Sequence, residues 1–453
     1  MSKIQVNEIV NHFDNGAPDC PKGLTVTGIS TFSGNVSIGG TLSYEDVTNI
    51  DSVGIITARD GLDTPTDLVL RTGGTEKLRI TSAGITSITG SLEVNGNNYP
   101  TAGTLSNRNL LINGAMRVAQ RGTSSTSSNY GTVDRFRPSF SGGTITQTQE
   151  TLLTGDTPYS FGFRKYIRLA NTSPITNTTS NHRRLLIRIE AQDIANSGWN
   201  YTDSNSYITF SMWVRSSIAQ TFNWFLSAQD GSPQSYSWPV TLAANTWTKI
   251  EKSFPGNSNL TFDDNENLGL QIDCGMYWGT SYTGSGAPFE EWGSYINSER
   301  ARDFDNTWGT TTDATFDAVG AQLELGSNAT PFEHESYGQT LQKCKRYYQR
   351  WEVSAGSGYA MTFTGHFSSS TSGIFRVDLS PEMRDAPDFE FSNTSDFDIE
   401  PRDLAVTGTP TANDTSPQQA NINFAVASGG STGESAWLTI DTTGGYIAFD
   451  SEI

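Results

Sequence analysis

Cysteine is scarce in this chain: Cys20, Cys274 and Cys344 are the three in 453 residues. The count is odd and the spacing wide. Neither a disulfide framework nor a zinc knuckle is implied, and folding in a reducing cytoplasm is expected. The four histidines, His12, His182, His334 and His366, are scattered, without metal-ligand spacing. Charged residues make up only 17% of the chain, too few for long amphipathic helices. The net charge is -19 and there is no basic stripe, so nucleic acid is not an expected partner. No run approaches transmembrane length. The opening Met1-Ser2-Lys3-Ile4-Gln5 lacks the apolar core of a secretory signal, so no membrane insertion is expected. No nucleophile elbow or phosphate-cradling loop is evident. The many carboxylates cannot be paired from sequence into the two-carboxylate site of a glycosidase. The chain is read as a non-enzyme without a cofactor.

What is abundant points to β structure. Glycine contributes 44 residues, the hydrophobic fraction is 35%, and Ser, Thr and Asn recur throughout. The fold class read from this is all-β, in successive pieces. Residues 1–22 form an arm broken by Pro18 and Pro21. Residues 23–103 contain no tryptophan and carry short apolar runs that end at Gly, Asn or Asp: Leu24–Ile29, Val36–Leu42, Gly54–Ala58, Leu68–Arg71, Leu78–Thr81, Gly84–Ile88 and Leu92–Val94. These side chains are too small for one copy to build a thick core. They predict a trimeric β shaft in which equivalent strands of sister chains supply the missing neighbours.

Residues 104–336 hold eight of the ten tryptophans. In Tyr207–Val214, residues 208, 210, 212 and 214 share one face; in Leu268–Met276, residues 268, 270, 272, 274 and 276 do. Such alternation marks strands buried on one side and predicts a β sandwich of jelly-roll type. Residues 337–350 are read as a brief linker helix, with Leu341, Cys344 and Tyr348 at helical spacing. Residues 351–453 are read as a small C-terminal β sandwich, with residues 378–401 largely loop.

Several motifs resemble structural proteins of tailed bacteriophages, particularly those of marine cyanobacteria. Val6-Asn7-Glu8-Ile9, Val53-Gly54-Ile55-Ile56-Thr57-Ala58-Arg59 and Leu70-Arg71-Thr72-Gly73-Gly74-Thr75 are similar to arm and shaft elements. Asn109-Leu110-Leu111-Ile112-Asn113-Gly114-Ala115-Met116, Gln120-Arg121-Gly122 and Asp134-Arg135-Phe136 resemble the opening of a jelly-roll domain related to carbohydrate-binding modules. Phe316–Glu324 and Ala329-Thr330-Pro331-Phe332-Glu333 resemble its closing strand and exit, and Cys344-Lys345-Arg346-Tyr347-Tyr348 matches what commonly follows. Leu379–Arg384 and Ala386-Pro387 resemble a motif of fibre tips. The resemblance implies a virion protein made in the host cytoplasm: a homotrimeric tail fibre, joined to other virion proteins through residues 1–22, that binds host-surface glycan. A purely architectural neck whisker, collar or capsid fibre without sugar affinity is the alternative. The shaft is short for a long receptor-reaching fibre.

Sugar recognition needs flat aromatic faces with polar groups at the rim. Trp238 in Ser-Tyr-Ser-Trp-Pro, Tyr277, Trp278, Tyr282 and Trp292 are the glycan-binding candidates, because each has a polar or glycine-rich context. Trp213 and Trp224, inside alternating strands, are read as core or sheet-surface packing. Asp263, Asp264, Glu266, Glu290 and Glu291 are weighed as calcium ligands, since the resemblance implies a structural calcium in such modules. A solvated acidic loop is the default reading, as no ligand spacing supports the metal.

Overall fold

The computed structural model describes residues 9–10, 13, 15, 20–38, 66–84, 86–88, 92–94, 97–99, 106–176, 178–304, 307–353 and 361–453. Residues 1–68 and 69–453 are separate units. Among described residues no helix is long and apolar enough to cross a membrane.

Residues 20–38 contain no strand, against the expectation for Leu24–Ile29 and Val36–Ile38. Gly54–Ala58 and most of the 1–22 arm lie outside the described residues. Among the described residues, apolar side chains of this stretch are uncovered: Ile29 is 95% and Phe32 70% exposed. Further on, β1 (Leu68–Thr72), β2 (Thr75–Ile80) and β3 (Thr86–Ile88) form a three-stranded sheet, and β4 (Glu93–Val94) pairs with β5 (Asn97–Asn98). Gly73 and Gly74 both have positive φ, which the tight β1–β2 turn requires.

Residues from 106 onward form two facing six-stranded antiparallel sheets. One sheet contains β6 (Ser124–Ser125), β8 (Thr144–Thr151), β9 (Lys165–Ser173), β11 (Tyr207–Ser216), β14 (Thr248–Pro255) and β17 (Thr315–Leu325), in the order β14-β11-β17-β9-β8-β6. The other contains β7 (Phe136–Phe140), β10 (His182–Glu190), β12 (Gln220–Ala228), β13 (Gln234–Leu242), β15 (Leu268–Trp278) and β16 (Gly293–Ser294), in the order β16-β13-β12-β15-β10-β7. Ile208, Phe210, Met212 and Val214 point inward from β11, opposite Phe222, Trp224 and Leu226 from β12. Phe222 meets Phe316 edge-on at 5.9 Å across the interior. Three short helices lie outside the sheets: α1 (Thr157–Ser160), α2 (Ala191–Ala195) and α3 (Thr307–Thr310).

Two glycines explain why the opening and closing motifs belong together. The β11–β17 ladder slips between Ser211–Gln322 and Trp213–Val319, which leaves a bulge at Gly320, with φ +72°. The Gly114 carbonyl accepts from the N–H groups of Gly320 and Ala321. A Cβ on Gly114 would lie 2.0 Å from the Ala321 carbonyl oxygen, and one on Gly320 2.7 Å from the Phe163 ring. Residues 109–115 thus run against the edge of β17 that β9 leaves open past Ala318. Asn113 fixes their turn, donating to the carbonyls of Val118 and Asp134 and accepting from Arg117 and Val118 N–H.

The linking helix α4 (Tyr337–Lys345) starts with a capping box at Ser336 and Gln339. It stops earlier than the sequence reading: Tyr348 lies in β18 (Tyr348–Glu352), which enters the final domain. There β18, β21 (Asp388–Phe391) and β27 (Tyr446–Asp450) form one sheet, in the order β18-β27-β21. The second sheet contains β19 (Met361–Ser369), β20 (Ser372–Asp378), β22 (Phe397–Glu400), β23 (Leu404–Ala405), β24 (Thr411–Ser416), β25 (Gln419–Ala425) and β26 (Ser435–Ile440). A second apolar core, including Phe367, Phe375, Phe397, Ile422, Phe424 and Phe449, fills this domain. Residues 378–401 are loop for most of their length, as expected, and contribute the four-residue strands β21 and β22, whose Phe389 and Phe397 are drawn onto that core.

A charged joint ties the two sandwiches together. Arg121 reaches Asp450 at 2.8 Å and Glu452 at 3.3 Å, and Arg135 also pairs with Glu452. Arg121 stacks 3.6 Å from the Tyr348 ring centroid and Arg135 3.4 Å from that of Tyr347. Arg346 pairs with Glu190 through two 2.8 Å bonds, and the Tyr347 hydroxyl donates to the same carboxylate. Burial disfavours the charge on Arg121 and Arg135, yet Glu452 and neighbouring acidic or phenolic groups hold both guanidiniums above their ordinary pKa. Burial pushes Asp134, close by, up to about 6. Removing one member of a buried pair strands the other. Glu452→Ala is expected to lower stability by roughly 3–5 kcal/mol in chemical denaturation of the full chain. A loss under about 1 kcal/mol would mean the joint is solvated and weak.

Candidate functional site

The aromatic cleft of this molecule lies on the outer face of the β14-β11-β17 sheet. The alternation that buries residues 208, 210, 212 and 214 turns Ser211 and Trp213 outward. Lys249 and Glu251 stand opposite them on β14, in register with Trp213 and Ser211. Their charges meet at 2.6 Å. The bulge at Gly320 completes the floor, and the cleft encloses about 410 Å³.

Two irregular segments form the walls. The first is the turn after α1, carrying Phe161 and Phe163. Asp156 anchors its start by accepting 3.0 Å bonds from Arg215 and from the Trp247 indole. Its end is held by His334, whose Nε2–H donates to the Phe161 carbonyl at 2.9 Å. Phe161 is left 54% exposed, 5.2 Å from the Trp213 ring centroid and tilted 37° to it. The second wall is residues 329–334. Glu324 is buried beneath it and accepts from the Thr330 N–H, the Thr330 hydroxyl and Gln322 at 2.6–2.8 Å. Glu333 accepts from Asn107, Arg108 and Asn109 N–H, which ties this wall to the opening segment. Phe163, Phe332 and His334 lie within 5.0 Å of one another, ring to ring. The cleft therefore offers ring faces at its mouth, one opposed ion pair on its rim, and a closed end of Phe163, Ala329 and backbone.

The five aromatic candidates from sequence do not converge on one surface. Trp238 is 2% exposed and points into the core, edge-on to Trp224 at 6.2 Å. Its polar flanks misled: Ser237 is buried under the 286–292 loop, where its hydroxyl donates to the Pro288 carbonyl. Tyr277 is buried against Gly309 and donates to the Thr178 carbonyl at 3.1 Å. Trp278 is buried over Phe225, its indole donating to the Asn223 carbonyl at 2.9 Å. These three have no ring face free for a ligand. Tyr282 is half-buried beneath the Arg300 guanidinium. Trp292 is half-buried, edge-on to Tyr236, and donates to the Pro255 carbonyl.

Trp213, read as core or sheet-surface packing, does pack against the core from the sheet surface and also lines the cleft, whereas Phe161 was not singled out. The signal was present for Trp213: a large ring on the outward row of a strand whose inward row is already apolar. Phe161 had none, because its position depends on contacts with Trp213 and His334. Of the acidic residues weighed for calcium, Asp264 accepts from Asn196 and Glu290 pairs with Lys252. Among described residues no group of three or more His, Cys, Asp or Glu side chains is placed to hold a metal ion.

No family model matches this sequence, and no curated protein does. Solved structures give slight likenesses. A putative sugar binding protein from Bacteroides thetaiotaomicron is 11% identical, covers 48% of this chain and all of its own, and has a TM-score of 0.26. The CBM22-1 xylan-binding domain from Paenibacillus barcinonensis Xyn10C is 10% identical over 47% of this chain and 99% of its own, with a TM-score of 0.22. The CBM22-1–GH10 modules of a Clostridium thermocellum xylanase are 9% identical over 42% of this chain, at 0.22; the match spans 26% of that structure. At such scores these likenesses bear no weight for function.

The cleft's geometry rests on Asp156. Asp156→Ala is expected to speed hydrogen exchange of the 157–163 amides by about tenfold or more and to cost roughly 1–3 kcal/mol in overall stability. Unchanged exchange in that turn would show that His334 alone positions Phe161.

Proposed function

We propose that this chain is a fibre subunit of a tailed-phage particle, trimeric through its shaft, which binds host-surface glycan in the Trp213–Phe161 cleft. The observation that carries the binding part is the cleft itself: the exposed Phe161 ring beside the half-buried Trp213, a rim of Lys249, Glu251 and His334, and a volume suited to a short sugar segment. Pyranose C–H faces pack on such rings while the rim meets hydroxyls. The virion part rests on the sequence motifs that resemble those of phage fibre proteins. Self-association is supported by the uncovered Leu24, Ile29 and Phe32 side chains, which sister copies would bury.

The reading is of a binding protein and not an enzyme. Glu251 is the one carboxylate in the cleft lining, and it is already paired with Lys249, whereas glycoside hydrolysis ordinarily takes two flanking carboxyl groups.

A glycan array probed with the full chain tests the binding part. Glycan-dependent capture is expected, weakened roughly tenfold or more by Trp213→Ala or Phe161→Ala. Trp437→Ala, at an exposed ring of the final domain, should leave it unchanged. Absence of capture on every glycan would favour the architectural reading. Sedimentation at micromolar concentration should give three times the mass of the chain; a stable single copy would remove the trimeric shaft.

A further inference from the structure

The two ends of the cleft differ in chemistry. Its mouth holds the polar groups: Lys249, Glu251 and His334 are exposed there beside Phe161 and Trp213. His334 uses its Nε2–H on the Phe161 carbonyl, which leaves Nδ1 to accept from a ligand hydroxyl. The buried end is made of Phe163, Ala329, the Gly320 backbone and the inner side of Phe332. Thr330 is also there, but its hydroxyl is committed to Glu324 at 2.6 Å. Ser211 supplies the remaining side-chain hydroxyl of that end. Lys249 and Glu251 neutralise one another, so the rim asks for no net charge on the ligand.

Resting on the glycan reading above, we propose that the cleft selects neutral sugars that carry a methyl group in place of a hydroxymethyl: 6-deoxyhexoses, inserted methyl-first toward Phe163 and Ala329. The ring hydroxyls then stay at the mouth, where Lys249, Glu251 and His334 reach them. The methyl group gains from burial against Phe163, Ala329 and Phe332. A hydroxymethyl in its place would give up water for a wall that offers little beyond Ser211, and a desolvated hydroxyl without partners is disfavoured. Discrimination of this kind in apolar pockets runs from about tenfold upward.

The test compares methyl glycosides in matched pairs of one enantiomeric series that differ only at C6: L-rhamnose against L-mannose, and L-fucose against L-galactose. Binding to the full chain is read by titration calorimetry or ligand-observed NMR at millimolar concentration. The deoxy member of at least one pair is expected to bind about tenfold more tightly than its parent. Lys249→Ala should weaken both members of that pair alike and leave their ratio intact. Ala329→Ser, which adds a hydroxyl at the closed end, should move the ratio toward one; Phe332→Ser gives a second variant should the first fail to fold. Equal affinities within each pair, or tighter binding of the parents, overturn the methyl-first inference and leave the glycan reading standing. If none of the four sugars binds and the array is also blank, the glycan reading falls and takes this inference with it.

Discussion

Buried carboxylates hold the irregular parts of this protein against its sheets. Glu324 lies under residues 329–333, and Glu190 and Glu452 lie between the two sandwiches, all three nearly devoid of solvent contact. A carboxylate in such a place is tolerable only if guanidinium, hydroxyl or N–H donors surround it. The segments that carry those donors are fixed as a consequence. Glu324 thereby sets one wall of the cleft, and Asp156, less deeply buried, sets the other. Glu452, met by Arg121 and Arg135, ends the freedom of the final domain. The fold needs these charges less for net stability than for choosing one arrangement of segments that have no ladder of their own.

This division explains what could be read from sequence and what could not. Strand identity follows local alternation, so β11 and β15 were legible in Tyr207–Val214 and Leu268–Met276. The contribution of residues 378–401 was not, because Phe389 and Phe397 become strand residues only when a distant core receives them. Helix α4 was visible in the helical spacing of Leu341 and Cys344. Its end was hidden, since Tyr347 and Tyr348 leave the helix to stack on Arg135 and Arg121, more than 200 residues earlier in the chain. The site suffered most. A polar flank was taken as exposure for Trp238, yet the 286–292 loop folds over those serines. Side-chain direction along the strand was the better guide: it put Trp213 on the outer face of its sheet, where it is half-buried.

The stretch read from sequence as a shaft shows the opposite limit. Its runs are apolar enough to read as strands and too thin to act alone, and residues 20–38 accordingly leave Leu24, Ile29 and Phe32 uncovered in one copy. Strand pairing needs a partner edge and a face to bury. Residues 68–80 find a minimal local partner through the Gly73–Gly74 turn. Residues 20–38 have a hydrogen-bonded turn at Cys20–Gly23 but show no strand. Local pattern specifies the potential for a strand; completion depends on what else is brought to it.

Under the proposed function, the joint and the cleft address the same physical difficulty. A cleft with one exposed ring, one half-buried ring and one mutually satisfied ion pair can hold a sugar only weakly, because its polar rim gives up little water and few new charges meet. Weak sites gain through multiplicity, provided their spacing lets several engage at once. Effective concentration falls when the carrier is floppy, so a site that works by number benefits from a rigid mount. The Arg121–Glu452–Arg135 and Arg346–Glu190 contacts make the cleft-bearing sandwich and the final domain one body. A surface touching the final domain then constrains where the cleft can point. Rigidity at a buried charge joint contributes orientation, while affinity comes from copies of the chain and not from any single pocket.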